Sequence, residues 1–352
     1  MSMKLAAIPG IRIAGAANAW PEELLGSSAR LSNEQVYAHF LGNDWRSILA
    51  ARQWSPDRPA QEFGVTARGW TRGSSVTSLE LSIAAAEKAL TQSGISPGDL
   101  NCIFSATCTP FQISSTLAGK IARHLKTDAA AIDIRAGGAA GLNSMATAAL
   151  YHSHGCKVSL VVATEASSQY VASDDLANGL LFGDGASAMV LVSDPDAGQS
   201  GLVGAVMGNA DWKGKPFTVP GRLPPAVDCN AKDYRFQIPD HTYRACLTDT
   251  WARTAEHLLR TFPAQCSELN AMLPYAITRP QVLSAVEPFN APCNAALTLL
   301  ENHGCIGCAS PMAALVQHMQ NGATSGANLH GEIVGSMAVA GGISWSGLLW
   351  RL

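Results

Sequence analysis

Residues 157–166 read KVSLVVATEA, with an unbroken apolar run from Leu160 to Ala163, where a strand with one wetted face would alternate with period two. A strand of that kind is covered on both faces, as in a sheet with helices packed above and below it. The neighbouring stretches are built to match. Thr77-Ser78-Leu79-Glu80 fits a capping box and opens LSIAAAEKAL, a helix with Leu79, Ile83, Ala86 and Leu90 on one face. Gly94 ends it, and Pro97 lies just beyond. NCIFSAT (101–107) reads as a buried strand, 115–126 as a helix, AAAIDIR as the next strand and 141–154 as a helix rich in small residues. FGDGASAMVLVSD (182–194) adds a Gly-rich turn and a further strand. Short strands alternating with Ala-rich helices predict a layered α/β fold.

Past Pro195 a comparable series begins: a strand near 201–207, a helix near 243–261, a weak element at 269–275 and a helix at 280–288. HGCIGCASPMAALVQHM (303–319) is a turn feeding a helix, and EIVGSMAVAGGISWSGLLWRL supplies two strands joined by a Gly turn. The chain is therefore expected to form two similar α/β halves, 1–195 and 196–352. Residues 209–242, with five prolines and several aromatics, mark an insertion or lid in the second half.

Composition narrows the function classes. The 352 residues are 47% hydrophobic and carry a net charge of −3, so there is no basic footprint for nucleic acid. No apolar run reaches the roughly 18 residues of a membrane span. The start, MSMKLAAIPGIRIAGAANAW, reads as a first strand rather than a signal peptide. Nine scattered cysteines are expected as reduced, mostly buried thiols of a cytoplasmic protein.

The turn at 133–142, DIRAGGAAGL, sits between a strand and a helix, where many α/β enzymes place a nucleophile. It holds no group that can attack. Five stretches give this position a context: AAAEKALTQSGISPGDLNCIFSATCTP, LLFGDGASAMVL, LNAMLPYAITRPQVLSA, HGCIGCASPMAAL and AGGISWSGLLWRL. In this order, from about residue 60 to the C-terminus, they resemble ketoacyl-acyl-carrier-protein synthase III and its relatives in the thiolase superfamily. The resemblance implies a thiolase-like fold, two α/β halves in α-β-α-β-α layers. It also implies a dimer with a buried acyl pocket, an acyl-CoA or acyl-carrier-protein thioester as ligand, and neither metal nor further cofactor.

Family members use a cysteine at a helix N-terminus to take the acyl group. A histidine and an asparagine bond the thioester oxygen of the extender. By alignment with the family, the cysteine position falls on Gly138, with Ala139 as the other register, the histidine position on Tyr275 and the asparagine position on Cys305. All three depart from the pattern. Gly138 cannot form an acyl-enzyme, and its plain reading is a turn glycine that relieves strained backbone. The N–H groups of Gly138 and of Gly342 in the closing loop could still form an oxyanion hole. Tyr275 is a space-filling aromatic or a single hydrogen-bond donor, and a poor base.

Cys305-Ile306-Gly307-Cys308 lacks the second pair a structural zinc site needs; its cysteines read as small buried residues, or Cys305 as a relocated nucleophile. His303 is the remaining imidazole that could face the cavity. Glu165 is expected to pair with backbone or an arginine, and Asp184 to hold its own turn. Ser144 and Thr147 are expected to pack. Two functions follow from the resemblance. One is a non-condensing, thioester-binding subunit, as a homodimer or beside an active synthase-like partner in fatty acid or polyketide-type biosynthesis. The other is an acyltransferase that passes the acyl group directly to a second substrate. A homodimeric condensing enzyme would require Cys305 to act.

Overall fold

In the computed structural model, which describes residues 2–218, 234–237, 241–275 and 277–352, the stretch at 157–166 forms a central strand. In chain order the strands are β1 (Met3–Leu5), β2 (Ile8–Pro9), β3 (Ile11–Ala19), β4 (Arg30–Ser32), β5 (Ala67–Gly69), β6 (Cys102–Ala106) and β7 (Ala130–Ile134). They continue as β8 (Val158–Ala166), β9 (Asp184–Ser193), β10 (Gly201–Asn209), β11 (Leu269–Met272), β12 (Ile333–Ala340) and β13 (Ser344–Arg351). The helices begin with α1 (Pro21–Leu25), α2 (Asn33–Leu41), α3 (Trp45–Ala51), α4 (Arg58–Glu62), α5 (Ser78–Ser93), α6 (Leu117–Leu125) and α7 (Ala140–Ser153). After these come α8 (Leu176–Leu181), α9 (Tyr243–Thr261), α10 (Pro263–Ser267), α11 (Arg279–Val286), α12 (Asn294–His303) and α13 (Ser310–Ser325).

Two mixed sheets carry the fold. One has the order β3-β9-β8-β6-β7, with β8 and β7 parallel to β6 on either side. The other runs β1-β10-β13-β12-β11, and β2 also pairs with β10. The first is made entirely from residues 11–193. The second draws on 201–351 but takes the chain's first two strands as well, Met3 pairing opposite Met207. The N-terminal strands thus belong with the later half.

The layers follow from which helices are greasy all round. α7 and α13 touch strands of both sheets and each other, and most of their residues are buried. α7 is so rich in Ala and Gly that two sheets can close on it. α5 and α6 cover the outer face of the first sheet, and α9 covers the second. The result is the expected α-β-α-β-α stack. At the start of α5 the capping box forms as read: the Thr77 N–H donates to Glu80 Oε2 at 2.7 Å, and Thr77 Oγ1 accepts from the Leu79 N–H at 3.2 Å.

Two regions were not read as structure in the sequence. Residues 33–62 fold into α2, α3 and α4, gathered on a small cluster of Val36, Tyr37, Trp45, Leu49, Trp70 and Leu180. Residues 294–303 form α12. The weak element at 269–275 is the edge strand β11. Of the expected insertion at 209–242, residues 219–233 and 238–240 lie outside the described residues.

Candidate functional site

Both Gly-rich turns lead into the middle layer. β7 ends at Ile134, and the turn through Gly137 and Gly138 feeds α7; the turn at 304–309 feeds α13. Because α7 and α13 pack side by side between the sheets, the turns meet at one end of the layer and enclose a cavity of about 290 Å³. Its wall includes Gly137, Gly138, Tyr275 and Gly307, and the closing loop contributes Ala340 and Gly341.

Gly138 and Tyr275, far apart in sequence, are in contact. A Cβ placed on Gly138 would lie 2.7 Å from the Ala340 Cβ and 3.1 Å from Tyr275 Cε1. The glycine is there for space. The backbone that needs glycine is one residue earlier, at Gly137, with φ +56°, which corrects the expectation that Gly138 relieves a strained turn. Ala139 is fully buried and its N–H donates to the Ala136 carbonyl at 3.2 Å, so it presents nothing to the cavity.

Cys305 completes the cluster from behind. It is fully buried, and its thiol donates to the Tyr275 hydroxyl at 3.8 Å. Burial pushes the Cys305 thiol up to about 12, against the opposing pull of the Gly307 backbone and the Tyr275 hydroxyl. Burial, then the neighbouring Cys305 and Tyr243, hold the Tyr275 phenol well above its ordinary value. Both are neutral at neutral pH, so Cys305 is no thiolate nucleophile and Tyr275 no base.

Two further expectations change. His303 does not line the cavity: its ring stacks on Trp20 at 3.6 Å with an interplanar angle of 11°. Burial lowers its pKa to about 3, helped by the charge of Arg30. Gly342 is likewise not on the cavity wall, which the closing loop reaches through Ala340 and Gly341.

Three further residues supply much of the chemistry of the cavity, and of these Cys108 carries no signal in the sequence. Cys108, on the segment after β6, and Cys308 both line the cavity, and Glu165 at the end of β8 lies between them. Glu165 is only 1% exposed. Its Oε1 accepts the N–H groups of Cys108 at 3.1 Å and Cys308 at 3.2 Å, and its Oε2 accepts the Thr109 hydroxyl at 2.6 Å. The expected backbone pairing is thus present, and it ties two segments, the one after β6 and the 304–309 turn, to one carboxylate at the end of β8. Asp184 acts in the same manner rather than within its own turn: it accepts from the N–H and hydroxyl of both Thr71 and Ser168. Ser144 and Thr147 bond the carbonyls four residues back in α7, as packing residues do.

Three aromatic rings line another part of the wall. Phe182 meets Phe217 and Phe236 with ring centroids 5.9 and 5.0 Å away, and the latter two are 4.9 Å apart. Phe217, Thr218 and Phe236 come from the 209–242 segment, where Thr218 and Gln237 form an antiparallel bridge. Arg135 is the cation on the wall.

The model of the 3-oxoacyl-[acyl-carrier-protein] synthase III family matches residues 132–210, from β7 through β10. A β-ketoacyl-[acyl-carrier-protein] synthase III of a Synechococcus strain is 28% identical over 285 residues, covering 78% of this chain and 82% of that protein. The same enzyme of Rhodopirellula baltica is 24% identical and covers 98% of this chain and 99% of its own length. Among solved structures, the Aquifex aeolicus 3-oxoacyl-[acyl-carrier-protein] synthase III superposes with a TM-score of 0.76 at 20% identity. It covers 97% of this chain and 100% of its own. A priming β-ketosynthase of a polyketide pathway gives 0.79 at 20% identity, with 99% and 98% covered.

Proposed function

The chain is a ketoacyl synthase III-like protein of the thiolase superfamily, and from that premise we propose that it binds an acyl thioester in the Gly138 cavity without becoming acylated at that turn. On this reading the ligand is an acyl-CoA or an acyl-carrier-protein thioester. The chain serves fatty acid or polyketide-type biosynthesis in the cytoplasm, as the non-condensing subunit of a dimer with an active synthase-like partner. The observation that carries the proposal is at Gly138. Where relatives would place the nucleophile there is no side chain, and Ala340 and Tyr275 occupy the room one would need.

The remaining groups fit binding better than condensation. Decarboxylative condensation needs donors aimed at the thioester oxygen as an enolate forms. At the proposed histidine and asparagine positions stand Tyr275, which can give one hydrogen bond, and Cys305, whose thiol is already directed at Tyr275. The Phe182, Phe217 and Phe236 rings offer apolar surface to an acyl chain, worth about 25 cal/mol for each Å² removed from water.

A second reading draws on one observation: Phe217, Thr218 and Phe236 bring the 209–242 segment onto the cavity wall. A second substrate held by that segment could attack a bound thioester directly, with proximity supplying the rate.

Intact-mass spectrometry after incubation with a series of acyl-CoAs tests the proposal, together with purification from the native host. The expected result is an unshifted mass, a raised melting temperature with the ligand bound, and recovery with a second synthase-like chain. An acyl adduct on any cysteine, or recovery only as a homodimer, would sink it. Release of free CoA only when an amine or alcohol is added would favour the second reading.

A further inference from the structure

We propose that Cys108, Glu165 and Cys308 form a binding site for a thiophilic divalent cation, Zn2+ by its ligand chemistry, on the wall of the cavity. The two sulfur atoms and a carboxylate oxygen all lie within 4.8 Å of one another. A tetrahedral zinc ion, with bonds of about 2.3 Å to sulfur and about 2.0–2.2 Å to oxygen, spaces such atoms by roughly 3.3–3.8 Å. The three donors are therefore close to the arrangement an ion would draw them into.

The surroundings are built for it. Glu165 is held by the backbone N–H groups of both cysteines and by the Thr109 hydroxyl. Hydrogen bonds to a ligating carboxylate fix its orientation in metal sites. Position 307 must be glycine for the turn to close on this carboxylate: a Cβ there would fall 2.6–2.9 Å from Glu165 Cγ, Oε1 and Cδ, and its φ is +52°. Among the described residues Glu165 has no ion-pair partner, although it is buried. A bound cation would supply that charge. Two sulfurs and one oxygen make three ligands, which leaves a fourth tetrahedral position for water or a ligand. An open position is the mark of zinc sites that act on substrates rather than merely cross-link the chain.

Binding is balanced by proton release. The cation forms one bond to each sulfur, each thiol gives its proton to solvent, and the carboxylate binds without losing one. The site also explains why Cys305-Ile306-Gly307-Cys308 looks like half of a metal motif. Cys308 has its partner in Cys108, on the segment after β6, while the Cys305 thiol donates to Tyr275.

The test uses the full chain, stripped with a chelator under reducing conditions and titrated with Cd2+ and Zn2+ in the absence of any thioester. One equivalent per chain is expected, with a sulfur-to-cadmium charge-transfer band in the ultraviolet. The band should vanish in Cys108→Ser and in Cys308→Ser and persist in Cys305→Ala. On the unmodified chain, Zn2+ should protect Cys108 from alkylation mapped by peptide mass, a readout that does not depend on the variants folding. Absence of the band, its survival in Cys108→Ser, or alkylation of Cys108 unchanged by Zn2+ would overturn the proposal. Because no acyl ligand is present, failure here leaves the thioester reading standing, and failure of that reading leaves this one.

Discussion

Gly138 is a residue defined by its neighbours. Restoring a cysteine there would put its Cβ 2.7 Å from the Ala340 Cβ, where real Cβ atoms do not sit, so the loop or the Tyr275 ring would have to move. Overpacking of this kind costs about 1–3 kcal/mol. Gly138→Cys is therefore expected to lower the melting temperature by several degrees, measured by scanning calorimetry, and not to give an acyl adduct. A melting temperature equal to that of the unchanged chain would mean that the site accommodates the side chain. The glycine at 138 and the aromatic at 275 thus fit each other. The first could be read in the sequence as a missing nucleophile, but the steric coupling could not, because residues 138 and 275 meet only when β7, α7 and the segment after β11 are assembled. Cys108 and Cys308 make the same point. They are 200 positions apart, and Cys308 alone looked like part of a local pair with Cys305.

Local patterns were the reliable part at the scale of elements. α5 carried its own start and stop signals, and the structure keeps both: the Thr77–Glu80 box at one end and Gly94 in the left-handed conformation at the other, with φ +69°. Removing the cap in Thr77→Ala is expected to cost about 0.5–2 kcal/mol, read as a lowered urea midpoint with an unchanged slope. α2, α3 and α4 were not legible because they are short and lack a sustained hydrophobic period. Tyr37, Trp45 and Trp70 bury them on a local cluster, a tertiary effect that outweighs weak propensity. α12 was missed although NAALTLLENH is a good helix former, being hidden between Pro292 and the Gly-rich turn that drew attention.

The five-layer stack has consequences for the whole molecule, since it buries imidazoles that would be charged in an unfolded chain. His152 is held by the Ser159 and Ser193 hydroxyls, and its pKa is lowered from 6.5 to about 4 by burial and by the charge of Lys157. His303, stacked on Trp20, falls to about 3. Between the unfolded value and these folded values the unfolded chain binds more protons, so stability rises with pH. As the pH falls from 6.5 towards 4, the urea midpoint should drop, and His303→Phe, which keeps an aromatic ring beside Trp20, should flatten the fall. A midpoint independent of pH in that window would contradict the burial of both rings. The layered α/β class and the lack of a reactive atom at Gly138 are legible in the residues alone, because they are local periodicities and side-chain identities. Only the tertiary structure decided that Gly138 has no room for a side chain, that His303 faces Trp20, and that Cys108, Glu165 and Cys308 share one wall. Each of these depends on which residues two sheets press together around α7 and α13, and no local pattern in the chain encodes that contact.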